Sequence, residues 1–293
     1  MSAMSEACRR AIDLIGLGPT PRGRRLPAIA LLLVSALVAP ARAQAPDSVW
    51  LEDLTWTELR DQIRAGTTTV IIPVGGVEQS GPALALGKHD ARARVLAEAI
   101  ARRLGHTLVA PVVAYVPEGG VEPPTSHMRF PGTITVPDDA FRKTIESAAA
   151  SFKLHGFKDV VLIGEHGSYQ SDLGAVAEAL NRRWAATPAR AHFIPDYYRG
   201  ATTDFSLILK QHGYSAAEIG THAGVADTSL TMAVAPSMVR TGALKAAADL
   251  DAVNGVYGDP RRSNAAMGQL AIEAIVTRTV AAIKVAITRT SHP

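Results

Sequence analysis

Apolar residues in this chain fall into short continuous runs that alternate with stretches of helical spacing. Thr68-Thr-Val-Ile-Ile72 leads into Pro-Val-Gly-Gly and reads as a buried strand over 68–74. The same logic predicts strands over Thr107–Tyr115, Phe130–Val136, Asp159–Ile163, Ala191–Ile194 and Thr228–Ala235. Helices are expected from Thr55, where Thr-Trp-Thr-Glu58 forms a capping-box pattern, to about Ala65. Further helices are expected over Asp90–Leu104, Asp138–His155, Ser171–Trp184 and Asn264–Thr288, with residues 195–221 irregular or weakly helical. Strands alternating with helices imply a mostly parallel sheet covered on both faces, in one α/β domain.

The first 43 residues follow a different pattern. Arg22-Gly-Arg-Arg25 precedes the apolar run Leu26–Pro40, and Ala41-Arg-Ala43 closes it, as in a secretory signal peptide cleaved after Ala43. The run is short for a membrane span of about 20 residues, so no stable membrane anchor is expected. The mature protein would be periplasmic or secreted. The Arg24-Arg25 pair leaves both general and twin-arginine export open.

Setting the leader aside changes the charge balance. It carries six Arg and two acids of the chain's 30 basic and 27 acidic residues, which leaves 24 basic and 25 acidic. No basic patch points to nucleic acid. The one cysteine, Cys8, lies in the leader, so any metal in the mature chain must be held by His and carboxylates.

Candidate chemistry gathers in loops expected to follow strands. Glu78 follows the first strand, His89 comes eleven residues later, His166 follows the strand at 159–163, and His222 and Asp227 lie in a third such loop. Glu78, His89 and His166 would make a three-ligand set with an open fourth position, as catalytic zinc sites require. Taken singly, Glu78 could cap a helix and His89 could be an ordinary helix-start residue. His127, beside Phe130-Pro-Gly-Thr133, could line the same cleft. Neither Ser80 nor Ser168 sits in a Gly-x-Ser-x-Gly elbow, and no P-loop or Rossmann spacing is present, so a serine hydrolase and nucleotide binding lack support.

Several ordered segments together resemble the creatininase family of creatinine amidohydrolases and related amide hydrolases. Pro73-Val-Gly-Gly-Val-Glu-Gln-Ser-Gly-Pro-Ala-Leu-Ala-Leu-Gly-Lys-His89 is similar to that family's Pro-x-Gly-Ser-x-Glu-Gln-His-Gly-Pro-His-Leu-Pro-Leu-Gly-Thr-Asp. His127 with Phe130-Pro-Gly-Thr133, Gly164-Glu-His-Gly-Ser168, His222-Ala-Gly-Val-Ala-Asp-Thr-Ser229 and Gly255-Val-Tyr-Gly-Asp-Pro260 resemble later motifs.

The resemblance implies a single-domain, three-layer α/β/α hydrolase, often a homo-oligomer, with two metals bridged by an Asp. This chain departs from that pattern. Ser80 replaces a ligand His, His89 the bridging Asp, Ser168 a ligand Glu, and Asp227 the usual Glu. A single-metal variant is therefore expected, with one divalent ion, zinc or alternatively manganese, held by Glu78, His89 and His166. His222 would be the acid/base, Asp227 would orient it or complete the metal shell, and His127 and Ser80 would face substrate. Asp90 and Glu165 could rebuild a second metal shell. The expected substrate is a small amide or cyclic amide. The alternatives are a lactone or ester, or a ligand bound without turnover by a retired enzyme.

Overall fold

In the computed structural model, residues 46–245 and 251–290 are described. The leader expected over 1–43 lies outside them. Ala45–Pro293 forms one compact unit. Among the described residues, no helix is long and apolar enough to cross a membrane.

Among the described residues there are four strands: β1 (Thr69–Val74), β2 (Thr107–Val109), β3 (Asp159–Gly164) and β4 (Arg190–Phe193). They pair in the order β2-β1-β3-β4, all parallel, with Ile71 opposite Val109 on one side and Val161 on the other. The larger helices in chain order are α1 (Trp56–Arg64), α2 (Lys88–Leu104), α3 (Asp138–His155) and α4 (Gln170–Arg183). The short α5 (Pro195–Arg199), α6 (Phe205–Gln211) and α7 (Ala216–Ile219) follow, then α8 (Val225–Val234), α9 (Thr241–Lys245) and the long α10 (Ala265–Thr290).

Successive strand residues point to opposite faces, so both faces of this sheet need cover. Val70, Ile72, Val160 and Leu162 pack with Phe141 and Ile145 of α3 and with Leu173 and Val176 of α4. Ile71, Val161 and Ile163 face the other way, onto Leu96 and Ile100 of α2, Leu230 of α8 and Ile275 of α10. This is the expected α/β/α layering. The α1 capping box also forms as expected: Thr55 caps the Glu58 amide and the Glu58 carboxylate accepts from the Thr55 amide.

Some elements differ from the sequence expectation. The run expected as a strand over Thr228–Ala235 is helical in α8 as far as Val234, with Ala235 as the C-cap. Its β-branched residues favour either state, but its small residues let α10 come close: a Cβ on Gly268 would fall 2.1 Å from the Ser229 carbonyl oxygen. Strand β2 stops at Val109, because Pro111 has no amide to continue the ladder, and a single bridge from Val113 to Val74 resumes it. Residues 130–136 form no strand. Pro131 and Gly132 (φ 92°) break the run, although the Ile134 and Val136 amides still bond to the Val77 and Val116 carbonyls. Helix α2 starts two residues earlier than expected, at Lys88.

The topology places a site. From β1 the chain crosses to β2 at one edge; from β3 it crosses to β4 at the other. The carboxyl ends of the adjacent strands β1 and β3 are thus the switch point, where open α/β sheets form a crevice. Glu78 follows β1 and Glu165-His166 follows β3.

Candidate metal centre and active site

The loop after β1 delivers Glu78 through the pair Gly75-Gly76. A Cβ on Gly75 would lie 2.1 Å from Asp90 Oδ1 and 2.9 Å from Asp90 Cα, while one on Gly76 would lie 2.9 Å from Glu118 Oε1. Two glycines are therefore needed to admit the start of α2 on one side and Glu118 on the other. Asp90 Oδ1 accepts from the Gly76 amide at 2.9 Å, which ties the loop to α2.

Glu78 has no exposure, and its two oxygens keep different company. Oε1 accepts from Lys88 Nζ at 2.9 Å and lies 2.7 Å from His89 Nε2. His89 is held from behind, with Nδ1 3.3 Å from Glu165 Oε2. Glu165 also takes Arg92 Nε at 2.8 Å and a short bond from the Tyr197 hydroxyl. Burial raises the pKa of Glu78, but Lys88 and His89 outweigh it and keep the carboxyl well below its usual value.

Oε2 of Glu78 faces His166 Nε2 at 3.2 Å and His127 Nε2 at 3.5 Å, and it has no hydrogen bond. Glu118, from the loop after β2, approaches the same point. Its carboxyl is buried with neither oxygen hydrogen-bonded, and burial together with the Glu78 carboxylate pushes its pKa up to about 9. One donor atom each from Glu78, Glu118, His127 and His166 lies within 4.8 Å of every other. Two carboxyls buried against each other with three unbonded oxygens are costly unless a proton or a cation lies between them, and carboxylates with imidazole suit zinc or manganese. The residues present therefore fit one divalent ion.

The hydrogen bonds behind each ring decide which nitrogens can coordinate. Ser168 Oγ donates to the Pro117 carbonyl at 2.7 Å, so it accepts from His166 Nδ1 at 2.8 Å. The Ser168 amide is also 3.3 Å from Nδ1, but the shorter hydroxyl contact and Glu118 Oε2 at 3.5 Å favour a proton there. That leaves the His166 Nε2 lone pair free to act as a ligand. Burial lowers the His166 pKa to about 3, so the ring is neutral. His127 is arranged the other way. Gln79 Oε1 accepts from the Gly81 amide at 3.0 Å, which turns its amide nitrogen toward His127 Nδ1, also at 3.0 Å. His127 Nδ1 is thus an acceptor, and its Nε2 carries the proton.

His222 stands between α7 and α8 rather than after a strand, and a bridge to Tyr257 fixes its backbone. Its Nε2 lies 2.9 Å from the Gln79 carbonyl and 3.3 Å from the Gln79 amide nitrogen. The shorter contact puts the proton on Nε2 and leaves Nδ1 as an acceptor, 3.7 Å from Glu78 Oε1. Burial lowers its pKa to about 4. Asp227 feels the charge of His222 but makes no hydrogen bond to it. It accepts from Arg92 and from the Ala223 amide, both at 2.8 Å, and so holds the left-handed residue next to His222 (φ 55°).

The site thus gathers Glu78, His89, His127, His166 and His222. His89 stands on the Lys88 side of Glu78, away from the oxygens that converge on Oε2. Ser80 is buried with its hydroxyl unbonded. Asp90 serves the Gly76 amide and Glu165 serves His89 and Arg92. Three residues had no role in the sequence reading: Glu118, Lys88 and Gln79. The Gly76 that makes room for Glu118 was the available signal for the first. A lysine opening a helix carries none.

Two cavities flank the His166–His222 pair. One, of about 350 Å³, is lined by His89, Glu165, Tyr198 and Asp227. The other, of about 410 Å³, is lined by Gln79, His127, Arg129 and Tyr257. Their sizes suit a small molecule.

A family model described as "Creatininase: Creatinine amidohydrolase" matches residues 52–283. The chain belongs to the creatininase family. It is an enzyme of that family's metal-dependent amidohydrolase type. A creatinine amidohydrolase from Pseudomonas putida is 26% identical over 66% of this chain and 74% of its own length. A 3-dehydro-scyllo-inosose hydrolase from Thermotoga maritima is 30% identical over 42% of this chain, and the match spans only 38% of that protein. A solved structure titled "Creatininase Mn" shares the fold, with a TM-score of 0.68 and 20% identity over 82% of this chain and 99% of that one. A mutant creatininase of the same fold is titled "Zn-Zn type". Creatininase structures thus hold manganese or zinc, and this chain has a cluster of donors able to hold such an ion.

Proposed function

We propose that this chain hydrolyses the C–N bond of a small amide or cyclic amide, with one divalent ion held by Glu78, Glu118 and His166. The observation that carries the reading is the cluster of donor atoms from Glu78, Glu118, His127 and His166 within 4.8 Å of one another, in which Glu78 Oε2, 3.2 Å from His166 Nε2, and both Glu118 oxygens are buried and unbonded. When bound, such an ion lowers the pKa of water and polarises a carbonyl. Three ligands leave a position open for that chemistry.

The remaining residues supply proton handling and orientation. His222 is neutral near pH 7, and its Nδ1 lone pair faces the site. It takes the proton of the attacking water and returns it to the leaving nitrogen, so the new C–O bond and the broken C–N bond balance as acid plus amine. The Nε2–H of His127 donates to the carbonyl oxygen as charge develops there. Arg92 and Asp227 keep His222 in position through the Ala223 amide. Tyr198 and Tyr257 offer walls for the flanks of a small ring.

Hydrolysis of a lactone or ester at the same site is a second reading, because a group that protonates a leaving nitrogen can also protonate a leaving oxygen. A panel of small amides, cyclic amides and lactones, assayed with zinc- and manganese-loaded protein, separates the two readings. Glu118→Gln and His166→Ala should each lose bound metal and turnover. Full activity in both would end the proposal. The same reading has the mature chain exported after Ala43 and assembled as a homo-oligomer. N-terminal sequencing and light scattering of the protein recovered from the producing cells check these two points.

A further inference from the structure

Lys88 is a buried charge without an ordinary structural reason. Its side chain has no exposure, and it is the first residue of α2. The positive end of a helix is an unfavourable place for a cation. Its Nζ instead lies 2.9 Å from Glu78 Oε1 and 2.7 Å from His89 Nε2. Those two atoms are themselves 2.7 Å apart. Glu165 directs His89 Nε2 toward this notch by accepting from Nδ1. An imidazole backed by a carboxylate, paired with a second carboxylate, is the kind of donor pair that binds a divalent ion. Here the ammonium lies against both donors.

We infer that Lys88 is a built-in cation filling a latent second metal position, so that the chain carries one metal ion at Glu78 Oε2 and one fixed ammonium at Glu78 Oε1. The inference rests on the metal reading above. It gives Glu78 a definite role as a bridge between a permanent charge and an exchangeable one. Lys88 keeps the Glu78 carboxylate aimed whether or not the ion is present. It also limits the cluster to a single ion, which restricts the chemistry to activation of one water.

The test is metal stoichiometry. Full-length wild type and Lys88→Met are stripped, dialysed against zinc and analysed for zinc per chain. Methionine keeps most of the volume and removes the charge. One zinc in wild type and two in Lys88→Met, falling back to one when His89→Ala is added, is the expected result. Two zincs in wild type, or one in both proteins, overturns the inference and leaves the metal reading standing. No zinc in either protein overturns both. Should Lys88→Met fail to fold, wild type still decides. Zinc-loaded wild type with one ion per chain should show a slowly exchanging ¹⁵Nζ ammonium signal for Lys88 by NMR. Loss of that signal on loading would mean the amine itself binds the metal, and the inference fails.

Discussion

Replacing Glu118 by Gln should act in opposite directions on the metal-free and the metal-loaded protein. In the metal-free protein the Glu118 carboxyl is 2% exposed and neither oxygen is hydrogen-bonded. An unsatisfied buried polar group costs about 1–3 kcal/mol, more if charged. Gln keeps the shape, is neutral like the Glu118 carboxyl whose pKa is pushed up to about 9, and brings an amide with two hydrogens, one of which can donate to the unbonded Glu78 Oε2. Metal-free Glu118→Gln is therefore expected to equal wild type or exceed it by up to about 3 kcal/mol. Loading changes the order. Zinc at about 100 times its Kd stabilises wild type by about 2.7 kcal/mol. If losing one ligand weakens binding about 100-fold, the same zinc stabilises the variant by only about 0.4 kcal/mol. Urea unfolding followed by circular dichroism, with chelator and then with zinc, measures both increments. A metal-free variant more than about 1 kcal/mol less stable than wild type would mean that Glu118 makes native contacts of its own. Equal zinc increments in the two proteins would remove Glu118 from the ligand set.

Other substitutions probe the same geometry. Gly76→Ala places a methyl 2.9 Å from Glu118 Oε1 at φ 141°, so it should cost about 1–3 kcal/mol of backbone strain and weaken zinc binding. Gly66→Ala (φ 104°, nothing within 4 Å) should show strain alone, and calorimetric zinc titrations of the two variants separate the effects. Gln79→Glu offers His127 Nδ1 an acceptor, moves the ring proton there and frees Nε2 as a fourth ligand. Tighter zinc binding with slower turnover is expected, and weaker binding would refute the tautomer assignment. Away from the site, the Ser215 amide and hydroxyl and then Arg262 lower the Glu218 pKa from 4.5 to about 2. A folded value below the unfolded one means stabilisation that is present above pH 4.5 and is lost as pH falls toward 2. Urea midpoints of wild type and Glu218→Gln should therefore differ at pH 7 and converge near pH 2; a constant gap would disprove the coupling.

The sheet was readable because its strands are buried on both faces. Val70-Ile-Ile72 and Val160-Val-Leu-Ile163 are continuous apolar runs, and no surface helix needs such a pattern. The run at 228–235 misled because Thr228, Ser229 and Thr231 suit either state. What selects the helix is the approach of Gly268 from 40 residues downstream, which no local pattern records. The site was half legible for a similar reason. Glu78 and His166 stand just past strand ends, so position along the chain pointed to them. Glu118 lies in an irregular loop whose path depends on glycines elsewhere, and it meets Glu78 only after the fold closes. Lys88 was invisible because a lysine that opens a helix is ordinarily solvated. Only the depth at which α2 begins makes this one a buried charge.

A fully buried carboxylate needs partners, and the partners of Glu78 are arranged unequally. On Oε1, Lys88 supplies charge regardless of what else is bound. On Oε2, there are His166 Nε2 without a proton to give and His127 Nε2 at 3.5 Å, and beyond them Glu118 with neither oxygen hydrogen-bonded. The fold could have satisfied these oxygens with a single hydroxyl or amide. Instead it uses two glycines to bring a second carboxylate against the first. Consistency elsewhere makes the exception informative: the capping boxes at Thr55 and Ser215 form completely, and the core of the sheet is closed on both faces. Unsatisfied acceptors concentrated at one point, at the switch point of the sheet and between two small cavities, are what a cation-dependent active site requires. The same arrangement makes the metal-free protein the less stable form, so the ion contributes to folding as well as to chemistry.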